Sequence, residues 1–347
     1  MIHSIGCRDK IFPWHLHPSQ MYEMALELGI SKRDLLSAVK LNEEKIEDLE
    51  LQIAWSQYRA MAELLNHYGP ADWSFQFGNR LTLASHGIIS LAIMNCSSWR
   101  QILEILTKYK NLVTSLFFLD LEYTDTHLLM TIRPEFTRED ITFKFVEIFT
   151  TVFYRSLYHI TTFKELMEDN QDNICVFVKG EQPEYYKDMH EVFHNNIRWG
   201  HYAHQIRFNI SLLDRDMAFS NTVAAKNMIK MLTAQLTLLP NHRGVLRELY
   251  YLFEKGLYRQ EECAKHLFAS VSTLKRSIAK ASTTFSEELA IYRMEKACYL
   301  LGNTDINIVQ LSDLLGFQDS DSFRKLFKKK LGISPSNFKE KILKKKY

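Results

Sequence analysis

The clearest hydrophobic pattern of the chain predicts two amphipathic helices near the C-terminus, between residues 308 and 338. Apolar residues recur there every three or four positions, as the buried face of a helix requires. They are Ile308, Leu311, Leu314 and Leu315 in the first helix, and Phe323, Leu326, Phe327 and Leu331 in the second. Gly316 interrupts the pattern between the helices, Asp319 or Ser320 is placed to cap the second one, and Gly332 ends it.

The outer face of the second helix is polar and cationic. It carries Ser320, Asp321, Arg324, Lys325, Lys328 and Lys329, and Gln318 lies in the turn before it. A helix, a tight turn and a helix with a basic outer face are typical of a helix-turn-helix unit, in which Arg and short polar side chains contact base edges. Lys328 and Lys329 are predicted to contact phosphates. An ordinary helical hairpin with a solvated basic face fits the same pattern, so the pattern alone leaves both interpretations open.

A similar helix pair is predicted upstream, within residues 243 to 281. The scaffold helix places Ala264, Leu267 and Phe268 inward, and Ser270 caps the next helix. That helix buries Leu274 and Ile278 and presents polar residues outward: Ser272, Lys275, Arg276 and Lys280. A helix within residues 283 to 303 links the two units, and a rigid link would place two recognition helices in adjacent major grooves, about 34 Å apart.

The pattern before residue 221 predicts an α+β region. Helical spacing predicts two short helices around Gly29 and longer helices within 48–69, 97–113 and the aromatic-rich stretch 139–160. β-rich runs predict a hairpin over 115–134 and short strands at 174–178 and 197–200. Residues 80–95 are interpreted as a strand, a glycine break and a buried apolar segment.

The 347-residue length suggests two domains. We predict an α+β sensor domain over residues 1–221, a linker helix over 222–241 and an all-α DNA-binding domain over 242–347. Pro240-Asn241 marks the boundary. The apolar stripe of the linker helix also fits a dimer seam or packing on its own domain. The aromatic residues between 136 and 158 are interpreted as core side chains, with a ligand pocket as the alternative, and no effector-binding residue is predicted.

The charge of the chain is unevenly distributed. Residues 242–347 hold 20 Lys and Arg against 12 Asp and Glu, whereas residues 1–241 hold 23 against 29. The basic part is also the part with both predicted helix-turn-helix units, as an electrostatic footprint for nucleic acid requires.

Composition indicates a cytoplasmic protein. The chain is 46% apolar, which suffices for buried cores, and its five cysteines are scattered without any C-x-x-C spacing. That usage predicts a reducing compartment, no disulfide framework and no cysteine zinc site. No apolar run reaches the ~18 residues of a membrane helix, and the N-terminus lacks the pattern of a secretory signal. No cofactor and no membrane partner are expected.

One motif favours an enzyme instead. His190-Glu191-Val192-Phe193-His194 matches H-E-x-x-H, which on a helix holds zinc between two His while Glu acts as base. A third ligand could be His201, His204 or Asp214, but the extended metzincin spacing fails, because Ile197 and Gly200 occupy its Gly and third His positions. A zinc metallohydrolase is therefore kept as an alternative, and no catalytic or metal-binding residue is predicted. His15-x-His17 is interpreted as a surface pair.

The C-terminal part resembles the AraC/XylS family of bacterial transcription regulators. The second unit matches the family pattern at Leu315, Gly316, Phe317, Asp319, Ser322, Phe323, Phe327, Lys328, Gly332, Ser334, Pro335 and Phe338. The first unit matches at Ala264, Leu267, Ser270, Thr273, Leu274, Arg276 and Phe285, and the linking helix at Arg293, Ala297, Leu300 and Leu301. Lys325 stands where the family has Arg, and Phe268-Ala269 and Ala281-Ser282 stand where it has glycine turns.

Residues 20–220 resemble the arabinose-binding-type N-terminal domain of one branch of that family. The matching positions are Leu81, Ser85, His86, Gly87, residues 99–109, Phe193, Ile197, Arg198, Gly200, Ile206, Arg207, Phe208 and residues 213–215. The resemblance implies a ligand-responsive transcription activator in the nucleoid, with promoter DNA, RNA polymerase and a small-molecule effector as partners and a homodimer left open. The alternative from another class is a module whose basic helices bind an acidic protein.

Overall fold

A computed structural model describes residues 9–135, 140–160, 173–217, 220–238 and 244–346, and the elements below are numbered within these ranges. The helices before residue 221 are α1 His17–Glu27, α2 Lys32–Val39, α3 Glu43–Ile46, α4 Trp55–Tyr68, α5 Trp73–Arg80, α6 Ile88–Met94, α7 Trp99–Tyr109, α8 Ile141–Ile160 and α9 Tyr186–Val192. The strands are β1 Lys10–Pro13, β2 Gln52–Ala54, β3 Phe117–Tyr123, β4 His127–Pro134, β5 Ile174–Lys179, β6 Ile197–His201 and β7 Gln205–Asn209.

Further along the chain the described elements are all helical. They are α10 Thr222–Leu238, α11 Val245–Glu254, α12 Gln260–His266, α13 Val271–Lys280, α14 Phe285–Asn303, α15 Ile308–Leu314, α16 Ser320–Leu331 and α17 Pro335–Lys346. An α+β part followed by an all-α part is the predicted fold class, which is confirmed.

The larger sheet of the N-terminal part has the strand order β3-β4-β7-β5-β6 within the described residues, and β1 and β2 form a separate antiparallel pair. β3 and β4 form the predicted antiparallel hairpin, in a register that runs from Phe117 opposite Pro134 to Tyr123 opposite Leu128. β7 is antiparallel to both of its neighbours, and β5 runs parallel to β6. The strands predicted at 174–178 and 197–200 are confirmed as β5 and β6.

Helices cover this sheet and supply most of the N-terminal core. Helix α8 lies so close to α5 that a Cβ on Gly78 would come within 2.9 Å of the Ile148 carbonyl oxygen. Aromatic rings fill the space beside it, where Phe145 lies edge-on to Trp55 and Tyr58 at 5.0 and 4.8 Å between centroids. Phe145, Phe153 and Tyr154 are buried and Phe149 is partly buried, as predicted, whereas Phe143 is exposed, so the prediction is wrong for that residue. Phe136 and the side chain of Tyr158 lie outside the part of the chain that the structure describes.

Local capping explains several predicted helix starts. Ser31 accepts a hydrogen bond from the Asp34 backbone N–H at the start of α2, and Ser98 accepts one from Gln101 at the start of α7. The strand predicted at the beginning of 80–95 is wrong, because residues 83–86 form a 3-10 turn in which the Ser85 hydroxyl accepts from the Thr82 backbone N–H. The apolar run that follows is α6, since a short apolar run does not distinguish a strand from a buried helix.

Helix α10, the predicted linker, packs along α6 and α7. It buries Ala225 and Leu232, and the Tyr109 and Thr233 hydroxyls hydrogen-bond at 2.7 Å. Its opposite face exposes Val223, Met231 and Leu238. The predicted boundary at Pro240-Asn241 lies outside the described residues, so the domain division stays a prediction.

The C-terminal helices enclose two hydrophobic cores that share one helix. The first core contains Leu249 and Phe253 of α11 with Leu274 and Ile278 of α13. The second contains Leu311 of α15 with Phe323 and Phe327 of α16. Helix α14 contributes Leu289 and Tyr292 to the first core, and Ala297 and Leu301 to the second. One continuous helix therefore sets how the two cores lie relative to each other.

No helix among the described residues is long and apolar enough to cross a membrane.

Candidate DNA-binding surface

The first helix pair, α12 and α13, has the geometry of a helix-turn-helix unit. Ser270 caps α13, its hydroxyl accepting a hydrogen bond from the Thr273 backbone N–H at 3.1 Å. Leu274 and Ile278 are buried on the inner face. The structure places the predicted residues Ser272, Lys275, Arg276 and Lys280 on the exposed side of α13.

The turn of this first unit has an unusual backbone. Phe268 adopts a positive φ of 52°, a left-handed conformation that residues other than Gly rarely take. Its side chain is 88% exposed, so the prediction that Phe268 faces inward is wrong. Ser282, after α13, has a φ of 56°. Both residues stand where the family pattern has glycine turns. The chain therefore keeps the left-handed turn conformation at these positions without glycine, the residue that adopts it at the lowest cost.

The second helix pair, α15 and α16, makes its turn with glycine. Gly316 has a φ of 67°, and a Cβ there would lie 2.3 Å from Cδ2 of Tyr258. Asp319 caps α16, accepting from the Ser322 backbone N–H at 2.6 Å, and this bond lowers the pKa of the Asp319 carboxyl. Phe323 and Phe327 are fully buried beneath α16. Gly316 and the Asp319 cap thus determine where α16 begins, and burial of Phe323 and Phe327 leaves the opposite face of α16 exposed to solvent.

The outer face of α16 carries the predicted contact residues in a narrow stripe. At about 100° per residue, Asp321, Arg324, Lys325 and Lys328 fall within about 100° of the helix circumference, with Lys329 at one edge. All five are exposed, as is Gln318 in the turn, whereas Ser320 is half-buried. Arg324 forms an ion pair with Asp321 at 3.2 Å. Lys330, which is not among the predicted contact residues, is also exposed.

A single arginine on α14 joins the two units. The Arg293 guanidinium lies 4.4 Å from the Phe317 ring centroid and 5.2 Å from that of Tyr258. Its Nη2 donates to the Gly316 carbonyl at 2.7 Å, and the Tyr258 hydroxyl donates to the Leu314 carbonyl at 3.1 Å. Tyr258 belongs to the loop before α12, so Arg293 holds the first unit against the turn of the second. Arg293 matches the family pattern, but the sequence alone predicted no role for it.

The N-terminal part packs directly on the first unit. Phe118 of β3 enters the core of that unit, with its ring 5.7 Å from Tyr250. Arg133 of β4 lies over the Tyr250 ring and pairs with Glu295 of α14, and Lys296 pairs with Glu122 at 2.8 Å. The periodicity of the sequence did not predict this contact. Strand pairing sets the positions of Phe118 and Arg133, whereas helix packing sets the positions of the residues they contact, and a local pattern reports neither.

A buried carboxylate at the end of β4 completes that contact. Glu135 is fully buried, and its Oε1 accepts the backbone N–H of Gly244 at 2.9 Å. A Cβ on Gly244 would lie 1.9 Å from the Glu135 carbonyl oxygen, so only glycine permits this approach. Lys110 and Arg247 lie 3.9 and 3.8 Å from the carboxylate. We call this cluster of Lys110, Glu135, Gly244 and Arg247 the Glu135 joint.

The H-E-x-x-H segment does not assemble into a zinc site. Helix α9 ends at Val192, and His194 has a φ of 46°, so His190 and His194 do not face one another across a helical turn. Asp214, a candidate third ligand, pairs with Arg100 at 2.7 Å. No group of three or more His, Cys, Asp or Glu residues able to hold a metal ion occurs in the part of the chain that the structure describes.

Two family models match this chain. The model for the arabinose-binding domain of AraC transcription regulators, N-terminal, matches residues 29–217, and a helix-turn-helix domain model matches residues 263–341. The chain is 22% identical to the ornithine utilization regulator of Pseudomonas aeruginosa over 326 residues, covering 92% of this chain and 94% of that protein. It is also 22% identical to an uncharacterized HTH-type transcriptional regulator of Mycobacterium bovis, covering 91% and 93%.

Among solved structures, transcriptional regulator CdpR from Pseudomonas aeruginosa aligns with a TM-score of 0.41 and 15% identity over 89% of this chain and 96% of that chain. The first family model alone covers more than half of the chain, and the second runs from within α12, through α13, α14, α15 and α16, into α17. The zinc hydrolase and the module for an acidic protein partner are therefore wrong as interpretations. The chain belongs to the AraC family of DNA-binding transcription regulators, a non-enzymatic family.

Proposed function

We propose that this protein is a sequence-specific transcription activator whose N-terminal part responds to a small-molecule effector. The observation that carries the proposal is the pair of exposed cationic helices, α13 and α16, on a frame held by α14 and Arg293. Both helices present Arg and Lys on one side, and neither of these faces is covered by the N-terminal part. The protein acts on promoter DNA in the cytoplasm and recruits RNA polymerase.

The contacts divide by chemistry. Arg276 and Arg324 can hydrogen-bond base edges through their planar guanidinium groups, with Ser272, Lys275, Gln318, Ser320, Asp321 and Lys325 as the other base-facing residues. Lys328 and Lys329 contact phosphates, as point charges further along α16. Arg324 leaves its ion pair with Asp321 on binding, and the low cost of breaking an exposed pair makes this exchange easy.

Effector control requires a site in the N-terminal part and a physical link to the DNA-binding helices. A cleft with about 890 Å³ of empty space, partly open to solvent, lies among α6, α7 and α8. The Glu135 joint and Phe118 provide the link. Dimerisation is a second route for control, supported by the exposed face of α10 with Val223, Met231 and Leu238.

The test is a selection of bound sequences from random duplex DNA, performed with the full chain at physiological salt. The wild type should enrich a motif with two half-sites. Arg324→Ala together with Lys325→Ala should weaken binding to that motif by about 1–3 kcal/mol per base contact and relax the preference in one half-site. Lys329→Ala is the matched control, and it should weaken binding to all sequences alike. Unchanged sequence preference in the Arg324/Lys325 variant would contradict the placement, and no enriched motif would contradict the proposed specificity.

Activation is tested separately. Transcription from a promoter that carries the selected motif should rise when the full chain and RNA polymerase are present together. A fall instead would identify a repressor.

A further inference from the structure

The cleft among α6, α7 and α8 has walls of an unusually uniform kind. Aliphatic and aromatic side chains form most of them, including Ile102 and Leu106 of α7 and Phe145, Phe149 and Val152 of α8. Such walls gain free energy by burying hydrocarbon, at roughly 25 cal/mol per Å². Polar groups are a minority of the lining, and besides Lys110 they come from His17, Tyr58, His86, Ser90, Thr114 and Ser156. Each hydroxyl of a ligand that is buried against the hydrocarbon walls without a hydrogen bond costs about 1–3 kcal/mol. The cleft therefore favours an apolar ligand over a sugar, although the matching family model is named after arabinose binding.

One charged side chain interrupts these walls. Lys110 lines the cleft, and only 5% of its side chain is exposed. Burial lowers the pKa of Lys110 to about 8, since water no longer solvates the ammonium group. Its Nζ donates to Asn111 Oδ1 at 2.5 Å, but the Glu135 carboxylate lies 3.9 Å away, beyond hydrogen-bond distance. The cation is therefore only partly compensated.

The same lysine belongs to the Glu135 joint. Glu135 Oε1 accepts from Gly244, whereas Glu135 Oε2, the atom nearest Lys110, has no hydrogen-bond donor among the described residues. Lys110 thus belongs both to the lining of the cleft and to the contact between the N-terminal part and α11. A second anion at Lys110 would compete with Glu135 for the ammonium group.

We propose that the cleft binds an apolar acid, a small molecule with a hydrocarbon or aromatic body and one carboxylate, and that the carboxylate takes the Lys110 ammonium from Glu135. This inference rests on the proposed effector control. The apolar walls select the body, and Lys110 selects the carboxylate over a neutral end group. The His17 ring also lines the cleft, and its buried Nε2 has no hydrogen-bond partner among the described residues. His15 is exposed, so the prediction that the two histidines form a surface pair is wrong.

Binding of such an acid weakens the Glu135 joint. Two carboxylates near one ammonium group repel each other, so Glu135 keeps its bond to Gly244 but loses part of its attraction to Lys110. Coupling between two sites is reciprocal, and loosening the joint must then strengthen acid binding by the same factor. Removing the charge of Glu135 while keeping its hydrogen-bond acceptor should therefore tighten the acid.

The experiment compares phenylhexanoate with phenylhexanamide, which differ in charge but hardly in shape. Each displaces the fluorescent anion anilinonaphthalene sulfonate from the full chain at pH 6, so that Lys110 keeps its charge in a variant without the Glu135 carboxylate, which raises the pKa of Lys110. The acid should bind at least about tenfold more tightly than the amide, the value of one charge-assisted hydrogen bond. Lys110→Met should abolish that difference, and Glu135→Gln should strengthen binding of the acid alone.

Lys144→Met is the matched control. Lys144 is a half-buried lysine of a separate cleft, where its Nζ donates to the Ala71 carbonyl at 3.1 Å. This variant should keep the wild-type preference. Lys110→Gln provides a second variant if Lys110→Met does not fold by circular dichroism.

Three outcomes would overturn the inference: equal affinities in the wild type, a preference that survives both Lys110 variants, or no displacement by either compound. The sequence selection described above uses the same protein without ligand. A chain that selects a DNA motif but does not prefer the acid refutes the ligand class and leaves the proposed function standing. A chain that prefers the acid but selects no motif refutes the proposed function.

Discussion

The two helix-turn-helix units share a fold and differ in what restrains them. The first makes its turn with Phe268 in a left-handed conformation, and its core receives Phe118 from the N-terminal part. The second makes its turn with Gly316, and its buried core consists of C-terminal residues, with Tyr202 of the N-terminal part packed only at its margin. The unit with the strained turn is thus the one that the N-terminal part holds.

That difference suggests a division of labour under the proposed function. The second unit carries the denser cationic face and an unstrained turn, which favours constant binding to DNA. The first unit is connected to the Glu135 joint through Gly244, at the start of α11, so a change in the N-terminal part reaches it first. Arg293 then determines how far a movement of the first unit is transmitted to the second.

Gly244→Ala should have the largest effect, because its Cβ would lie 1.9 Å from the Glu135 carbonyl oxygen and the two backbones would have to separate. We expect a loss of about 3 kcal/mol or more in the free energy of unfolding. Hydrogen exchange should accelerate in β3, β4 and α11 but not in α15 and α16. Gly256→Ala is the comparison variant: nothing lies within 4 Å of its Cβ, so it should lose only the about 1–2 kcal/mol that a residue with a Cβ costs at its φ of 78°. Equal protection of both units would contradict the asymmetry.

Gly316→Ala should damage the second unit. Its positive φ costs about 1–2 kcal/mol for a residue with a Cβ, and the contact with Tyr258 adds to that, for a total of about 3 kcal/mol. Gly332 has a similar φ of 77° but open space around its Cβ, so Gly332→Ala should lose only the stability that the left-handed backbone costs. Urea unfolding measures both. Equal losses of stability in the two variants would mean that the Tyr258 ring moves away from the added Cβ without loss of free energy.

Arg293→Lys should loosen the two units from each other. Lysine keeps the charge but loses the planar contact with Phe317, so we expect a loss of about 1–2 kcal/mol in stability. In the sequence selection, the spacing between half-sites should become less strict while each half-site is retained. Arg259→Lys, an exposed change in the first unit, should keep the wild-type spacing. A strict spacing in the Arg293 variant would assign that role to α14 alone.

Phe268→Gly should have the smallest effect, and it should be favourable. Glycine relieves the left-handed backbone but adds chain entropy to the unfolded state, which leaves a gain of at most about 1 kcal/mol. Phe268→Ala keeps the strain and should give no gain. Thermal unfolding distinguishes the two, and a destabilised glycine variant would show that the exposed Phe268 ring has a structural role.

The sequence predicted features that depend on local chemistry. Helix periodicity placed Phe323 and Phe327 in the core, and side-chain capping placed Ser270 at one helix start. At the start of α16 it left Asp319 or Ser320, and the structure has Asp319 as the cap. The left-handed turn at Phe268 escaped prediction because the apolar pattern alone assigned that ring to the core. Glu135, Gly244 and Lys110 escaped because their proximity depends on the packing of strands and helices far apart in sequence. The structure brings the predicted contact residues to two exposed faces, and their roles on DNA stay predictions.

Phe118 has a consequence for how the DNA-binding half can be studied. It is 7% exposed, and it lies among core residues that all come from beyond residue 244. A fragment that begins at residue 242 would leave Tyr250 uncovered beside apolar neighbours, inviting self-association. The boundary between the two parts in the sequence therefore does not coincide with the boundary between their hydrophobic cores. An isolated C-terminal fragment would lack part of its own core, and we expect it to be less stable than the same residues in the full chain.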